Sequence, residues 1–248
     1  MSENRWVEAV RSAGGSGDYP IPAMPRFEAT YLTDPDVLAA VLPPPLEPSS
    51  EPRVHVRFSR IDFNGITYER VGSFLVDALY NGNLGQYTLV MPIDLETAVA
   101  PSRERFGEPK KLAQLDVARD GEHVHASITR QGVTFIELEG DCVEALPLPA
   151  PYPLTQFWFK FLPAVSGKGF DAGPFLVTMN QIVTPTSCER VDGKLELRDL
   201  PGTPVVDLPV LEMESMRWMT IESTHSYTLE DVDIDPVAFE RHIAIQYA

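Results

Sequence analysis

The sequence of 248 residues contains no run of about 18 apolar residues, so we expect no membrane-spanning helix. Basic residues are scarce, because 20 lysines and arginines face 36 aspartates and glutamates, a formal net charge of -16. A surface that negative repels nucleic-acid phosphates and anionic membranes, so neither is an expected partner. The two cysteines, Cys142 and Cys188, are too few for a disulfide scaffold or a cysteine metal site. Residues 1–17 contain no apolar signal-peptide core, and we expect a cytoplasmic protein.

Turn-forming residues are abundant, with 23 prolines and 16 glycines between short apolar runs. Val54, Val56 and Phe58 alternate with polar residues, which is the period of a half-buried strand. Turns between strands are predicted at four dipeptides, Asn81-Gly82, Asp120-Gly121, Gln131-Gly132 and Asp192-Gly193. These patterns predict a mainly β (α+β) fold, an antiparallel closed or conical β-barrel with a few flanking helices.

Two helices and one boundary complete the predicted organisation. Asp34 precedes Pro35, a capping residue followed by a proline at the first helical position. A second helix is predicted from Asp235-Pro236 to about Tyr247. The glycine- and serine-rich residues 12–17 predict a flexible N-terminal arm over residues 1–17, followed by a single domain over residues 18–248.

The most informative segment runs from Arg103 to Leu112 and reads RERFGEPKKL. It resembles the signature of the acetoacetate decarboxylase family, in which Arg-Glu is followed by a short spacer with an aromatic and a glycine, and then by Pro-Lys-Lys. Residues 31–46, 160–163 and 223–226 also resemble segments of this family, so the resemblance covers most of the chain. It implies a homo-oligomeric, cofactor-free lyase that acts on a small oxo acid.

The resemblance also implies roles for individual residues. Lys110, the first lysine of the pair, is the residue implied to form a Schiff base with acetoacetate or a related β-keto acid, with Lys111 beside it. Glu69 and Glu104 are the implied proton carriers, although Glu104 has an alternative role in an ion pair with Arg103 that holds the lysine loop. Substrate contacts are implied for three residues, Arg26, Arg103 and Phe106.

Two departures from the family pattern leave the reaction open. Met24 stands at the ungapped position of a family arginine that lies near the substrate carboxylate, and Arg26 takes that place only with a shift of two residues. A second family glutamate has no equivalent, since Arg57, Phe58 and Ser59 occupy its neighbourhood. Aldolase, dehydratase or hydratase chemistry on another oxo acid through the same lysine is therefore an alternative. A non-catalytic domain that binds a small ligand, with Lys110 as an ordinary lysine, is a second alternative.

Imine chemistry requires a neutral amine, whereas lysine has an ordinary pKa of about 10.4. Bringing that pKa near 7 costs about 5 kcal/mol. A charged Lys111 at about 6 Å would supply about 0.7 kcal/mol in water and about 3 kcal/mol at an effective dielectric constant of about 20. On a strand, the side chain of Lys111 would also point away from the pocket. We therefore expect burial in an apolar barrel interior to be the main cause of a lowered Lys110 pKa, with Lys111 adding a smaller repulsion or pairing with an acid.

No metal site is expected from the sequence. His123 and His125 are spaced to share one face of a strand, but no third ligand is evident. A solvated hairpin is the favoured interpretation of these two histidines.

Overall fold

The computed structural model describes residues 21–63 and 66–243. Three helices and one 3-10 turn lie among these residues: α1 (Pro35–Val41), α2 (Glu96–Phe106), α3 (Pro236–Ile243) and the turn Val205–Asp207. Most of the chain is strand, in this order: β1 (Ile21–Leu32), β2 (Glu47–Pro48), β3 (Arg53–Phe63), β4 (Ile66–Tyr80), β5 (Asn83–Ile93), β6 (Lys110–Leu112), β7 (Gln114–Asp120), β8 (His123–Arg130), β9 (Val133–Ala145), β10 (Tyr152–Pro163), β11 (Phe170–Leu197) and β12 (Glu212–Asp231).

These strands form one large sheet that partly closes on itself. The hydrogen-bonded order is β10-β5-β4-β3-β1-β12-β11-β9-β8-β7, and β10 also pairs with β11, which joins seven strands into a ring. The ring closes through a short parallel contact in which Gln156 and Phe157 of β10 face Gln86 and Tyr87 of β5. The predicted mainly β class is confirmed, whereas the barrel is only partly closed and its sheet is mixed. The sheet is mixed because β5 pairs in parallel with β6 and with β10. It extends beyond the ring because β11 continues as the antiparallel partner of β9.

Local signals explain the two predicted helices. The Asp34 side chain accepts hydrogen bonds from the backbone N–H groups of Asp36 and Val37 and so caps α1. Helix α3 begins at Pro236 as predicted and is described to Ile243, because residues 244–248 lie outside the described part of the chain. Helix α2 was not predicted, since none of its side chains is buried and it carries no apolar stripe.

Three of the four predicted turns are confirmed, at Asn81-Gly82, Asp120-Gly121 and Gln131-Gly132. The prediction at Asp192-Gly193 was wrong, because β11 runs straight through this dipeptide. Gly193 instead lies opposite Gly140 of β9. A Cβ atom on Gly193 would lie 2.2 Å from the Glu139 carbonyl oxygen, so glycine serves close packing of two strands here and not a turn.

The two faces of the ring have different chemistry. Phe27 of β1, Phe58 of β3, Phe74 of β4 and Phe157 of β10 are buried in the main hydrophobic cluster. Their neighbours along the same strands, among them Arg26, Arg57, Ser59, Ser73 and Gln156, are also buried but line a cavity on the other face. Because side chains alternate along a strand, one set of residues builds the apolar core while the other builds a polar interior.

No helix within residues 21–63 and 66–243 is long and apolar enough to cross a membrane. The predicted flexible arm over residues 1–17 lies outside the described residues. The division into this arm and a single domain over residues 18–248 therefore stays a prediction.

Candidate active site

The candidate site is a cavity of about 300 Å³ inside the ring. Its wall consists of alternate residues from β1, β3, β4, β10, β11 and β12, together with residues of β5, α2, β6 and the segment that joins α2 to β6. Four of the seven residues predicted for the site line this cavity, namely Lys110, Glu69, Arg26 and Phe106. The other three, Lys111, Glu104 and Arg103, lie outside its lining.

Lys110 lies between two carboxylates. It belongs to the short strand β6, which pairs in parallel with β5 so that Lys110 faces Met91. The lysine is only 8 % exposed, and its Nζ atom lies 3.4 Å from Glu69 Oε1 and 3.4 Å from Glu108 Oε2. Glu69 comes from the long strand β4, whereas Glu108 precedes Lys110 by two residues and extends to the same side. One amine and two acids are therefore in place for proton exchange at the base of the cavity.

The signature segment holds this lysine in place. Helix α2 ends at Gly107, which has φ 74°, and a Cβ atom there would lie 2.4 Å from the carbonyl oxygen of Phe159. Glycine is thus required both for the left-handed helix end and for the close approach to β10. Arg103 donates from Nη1 to the Lys110 carbonyl oxygen at 3.2 Å. Arg103 thus supports the backbone of Lys110 and lies outside the lining of the cavity, and its predicted substrate contact stays a prediction.

The charge balance around Lys110 differs from the expectation. Burial lowers the pKa of the Lys110 amine, but the nearby Glu108 and Glu69 carboxylates raise it more, and the net pKa lies above the ordinary value. Burial also raises the pKa of Glu69, although Lys110 opposes this. The expected ranking agrees with the structure, because burial is the largest single influence on the Lys110 pKa and exceeds any effect of Lys111, but the expected net lowering of this pKa was wrong. The pKa of Lys110 is raised because the polar face of the ring places two acids beside the amine.

Lys111 faces away from the cavity, as the alternation of a strand requires. Its Nζ atom lies 3.4 Å from the Gly202 carbonyl oxygen, on the far side of β6 from Lys110. Burial, with the charges of Arg130 and Arg103, lowers the pKa of Lys111 to about 8. The main influences on the Lys110 pKa are burial, Glu108 and Glu69, and the charge of Lys111 is not among them. Lys111 therefore lies outside the lining of the cavity, and its catalytic role stays a prediction.

Glu104 also lies outside the lining of the cavity, and its predicted role as a proton carrier stays a prediction. It is exposed on α2, so its side chain does not reach the cavity. Glu108, which the sequence interpretation passed over, occupies the position next to the amine that was expected for Glu104. The signal that could have identified Glu108 is its spacing: residues two apart on an extended segment point to the same side.

Two arginines form a cationic part of the cavity wall. Arg57 donates from Nε to Glu28 and from Nη2 to Gln86 Oε1 at 3.1 Å. Burial would raise the pKa of Glu28, but Arg57 and Arg26 lower it to about 2, so this carboxylate stays charged. Burial and the charge of Arg57 lower the pKa of Arg26 to about 9, which leaves it protonated at neutral pH. Two cations against one carboxylate leave a net positive charge that favours an anionic ligand.

Arg26 is well placed to meet that ligand. It is 4 % exposed, lines the cavity, and its buried Nε atom has no hydrogen-bond partner among the described residues. Met24, two residues earlier on β1, lines the cavity as well. A shift of two residues along a strand keeps a side chain on the same face, so Arg26 reaches the interior that an arginine at position 24 would also reach.

Aromatic residues form one side of the cavity wall. The ring of Phe106 stacks on Tyr227 of β12 with centroids 4.6 Å apart. Trp158 packs with Met91 and Met179 in a small apolar cluster next to Lys110, and donates from its indole N–H to Thr88 Oγ1 at 3.0 Å. This side of the cavity is apolar, whereas the Arg26 side is polar. A ligand with a charged end and a less polar end matches this division.

No group of three or more metal-ligating side chains occurs in the described part of the chain. His123 and His125 instead contact acids of the neighbouring strands. His123 contacts Asp141 and Glu139, and His125 contacts Glu137 and Asp116.

Comparison with known proteins identifies the family. The sequence model described as acetoacetate decarboxylase (ADC) matches residues 10–232. The chain belongs to the acetoacetate decarboxylase family. It is 32 % identical over 204 residues to the acetoacetate decarboxylase of Burkholderia multivorans. The aligned region covers 79 % of this chain and 80 % of that relative. The relatives named decarboxylases are carbon–carbon lyases, and membership of this family makes the protein an enzyme of the acetoacetate decarboxylase type.

Solved structures show the same fold. The acetoacetate decarboxylase of Legionella pneumophila matches with a TM-score of 0.76 and 23 % identity, over 91 % of this chain and 93 % of that one. The enduracididine biosynthesis enzyme MppR in complex with pyruvate matches with a TM-score of 0.72 and 15 % identity, over 88 % and 92 %. An acetoacetate decarboxylase-like enzyme of Sphingomonas wittichii RW1 matches with a TM-score of 0.68 and 15 % identity, over 85 % and 92 %.

Proposed function

We propose that this protein is a Schiff-base-forming lyase that decarboxylates acetoacetate or a related β-keto acid through an imine on Lys110. The observation that carries the proposal is that a buried lysine amine and a buried arginine with an unpaired Nε atom line one cavity. The arginine matches the carboxylate of a β-keto acid, and the amine matches its ketone.

The first step is the formation of the imine. Glu69 lies 3.4 Å from the ammonium, and its raised pKa makes it a better proton acceptor than an ordinary carboxylate, so it takes a proton from Lys110. The neutral amine attacks the ketone carbon to form a carbinolamine. Return of the proton to the hydroxyl group expels water and leaves a protonated imine. Glu108 Oε2, 3.4 Å from the lysine nitrogen, stabilises the positive charge of this imine.

The protonated imine is the electron sink for decarboxylation. The bond between the carboxylate carbon and the α-carbon breaks, its electron pair moves to the imine nitrogen, and carbon dioxide leaves. Glu69, which lost its proton when the carbinolamine expelled water, takes a new proton from water and delivers it to the α-carbon of the enamine, so that each turnover consumes one solvent proton. Attack of water on the imine then releases the ketone and the free Lys110 amine.

The test is reductive trapping. The protein is mixed with acetoacetate, sodium borohydride is added, and the modified peptide is identified by mass. We expect an isopropyl-sized increment on Lys110, because decarboxylation precedes reduction, and no increment in Lys110→Ala. The matched control Lys111→Ala keeps the increment, because Lys111 lies outside the cavity.

Three other outcomes would change the assignment. A carboxylated increment on Lys110 without release of carbon dioxide would favour aldolase, dehydratase or hydratase chemistry on the same lysine. The absence of an increment with acetoacetate, pyruvate and larger oxo acids would favour a non-catalytic ligand-binding domain. An increment on Lys111 would contradict the role of Lys110. The homo-oligomeric state and the cytoplasmic location stay predictions, to be tested by sedimentation and by cell fractionation.

A further inference from the structure

The cavity contains a polar group for which acetoacetate has no use. Five buried side-chain atoms lack a hydrogen-bond partner among the described residues, and two of them, Arg26 Nε and Gln181 Oε1, belong to residues that line the cavity. A substrate carboxylate supplies the partner for Arg26. The Gln181 oxygen needs a hydrogen-bond donor, and the acetoacetate anion offers only acceptors.

Gln181 is a built part of the wall. It lies on β11, is 4 % exposed, and faces His225 across the pairing with β12. Neither atom of its amide forms a hydrogen bond with another described residue. A buried amide without a partner is costly to the folded protein, so its presence in a cavity calls for a ligand that satisfies it.

The distance from the lysine is suited to a substituent on the substrate. Met179, two residues before Gln181, packs with Met91, which is the β5 residue opposite Lys110. Two residues along a strand span about 7 Å. A group bound by Gln181 therefore lies several bonds from the ketone carbon, on the same small molecule.

We propose that Gln181 is a specificity-determining residue and that the natural substrate is a β-keto acid carrying a hydroxyl group that hydrogen-bonds to the Gln181 amide. A hydroxyl group both donates and accepts, so it satisfies the amide oxygen and the amide NH₂ together. This inference rests on the proposed imine chemistry of Lys110. A site with a buried, unpaired polar group discriminates against the analogue that leaves it unpaired.

The experiment compares acetoacetate with two hydroxylated analogues. One carries the hydroxyl group on the terminal methyl carbon, and the other is one methylene longer with a terminal hydroxyl group. We expect at least one analogue to have a higher kcat/KM than acetoacetate. The specificity ratio is the kcat/KM of the better analogue divided by the kcat/KM of acetoacetate. In Gln181→Met, we expect this ratio to fall by about fivefold to tenfold, the effect of one hydrogen bond. The control Asn180→Met alters the exposed neighbouring residue of the same strand, and its ratio stays that of the wild type.

A stability measurement excludes a merely structural role. Gln181→Met removes an unpaired amide from the interior, so we expect the Tm to stay level or rise. Gln86→Met removes a buried amide that accepts a hydrogen bond from Arg57, and its Tm falls. A marked fall in Tm for Gln181→Met would show that the amide is satisfied within the protein and would overturn the inference.

The failure of this inference is distinguishable from the failure of the proposed function. An increment on Lys110 after trapping, with equal kcat/KM for all three compounds and no change in Gln181→Met, overturns the hydroxyl specificity and leaves the imine chemistry standing. The absence of an increment on Lys110 from every compound overturns both.

Discussion

The two carboxylates beside Lys110 lead to a quantitative prediction about the neutral form of its amine. Glu108→Gln keeps the size of the side chain and removes its charge. The distance from Lys110 Nζ to Glu108 Oε2 is 3.4 Å. At that separation the attraction between unit charges is about 1.2 kcal/mol at the dielectric constant of water and about 5 kcal/mol at an effective value of about 20. The lower figure alone raises the fraction of neutral amine at a fixed pH by about eightfold.

The assay is the rate of acetylation of Lys110 by acetic anhydride, followed on the isolated peptide as a function of pH. Only the neutral amine reacts, so the profile reports the pKa of Lys110 directly. We expect Glu108→Gln to move the profile to lower pH. Glu69→Gln moves it in the same direction but less, because Glu108 has the larger influence on the Lys110 pKa and burial favours the protonated form of Glu69.

The matched control is Glu104→Gln, which removes a carboxylate of the same signature segment from the exposed surface of α2. We expect its acetylation profile to coincide with that of the wild type. A Glu108→Gln profile that is unchanged, or that moves to higher pH, would refute the electrostatic account of the Lys110 environment. An equal effect of Glu104→Gln would show that the shift reflects overall charge and not the local pair.

Three further predictions concern Lys111, Gly107 and Arg26. The pKa of Lys111 is about 8 in the folded protein, against an ordinary value of 10.5. Between these two pH values, the unfolded chain binds a proton on Lys111 that the folded protein has lost. The free energy of unfolding therefore rises with pH from about pH 8 to about pH 10.5. Urea unfolding of Lys111→Met should lack this rise, and an identical pH dependence would contradict the assignment. Gly107→Ala should lower the free energy of unfolding by about 2 kcal/mol or more, since it adds backbone overlap to an unfavourable φ. Gly82→Ala, which has φ 75° but open space around the new Cβ atom, should cost only about 1 kcal/mol, and equal losses would refute the close-packing argument. Arg26→Met should lower kcat/KM for acetoacetate by about tenfold to a hundredfold through the loss of one charge-assisted hydrogen bond, and an unchanged value would show that the carboxylate binds elsewhere.

Several parts of the fold were predictable because their causes are local. Alternating apolar residues identify β3, and Asn81-Gly82 identifies the hairpin between β4 and β5, because few residues adopt positive φ. Asp34 identifies the start of α1 by the backbone N–H groups that it caps. The same reasoning failed at Gly193, because a glycine required for close strand packing has the same sequence signal as a glycine in a turn.

The candidate site was predictable only in part. The motif around Lys110 identified the lysine, Phe106 and the supporting Gly107, because these residues are neighbours in sequence. The surroundings of the amine were not predictable from the motif. Glu69 is 41 residues away from Lys110, and the pairing of β5 with both β4 and β6 brings its carboxylate to 3.4 Å from the amine.

By itself, the sequence determined where strands, capped helices and hairpins form, and it contained the motif that assigns the chain to its family. These features depend on backbone preferences and on contacts between residues close in the chain. The tertiary structure alone decided that the interior of the ring is polar, that Glu108 and not Glu104 accompanies Lys110, and that Lys111 faces away. It also placed Arg26 and Gln181 on one cavity. Charge interactions and burial depend on distances in space, and those distances are set only when β-strands from both halves of the chain pair into the ring.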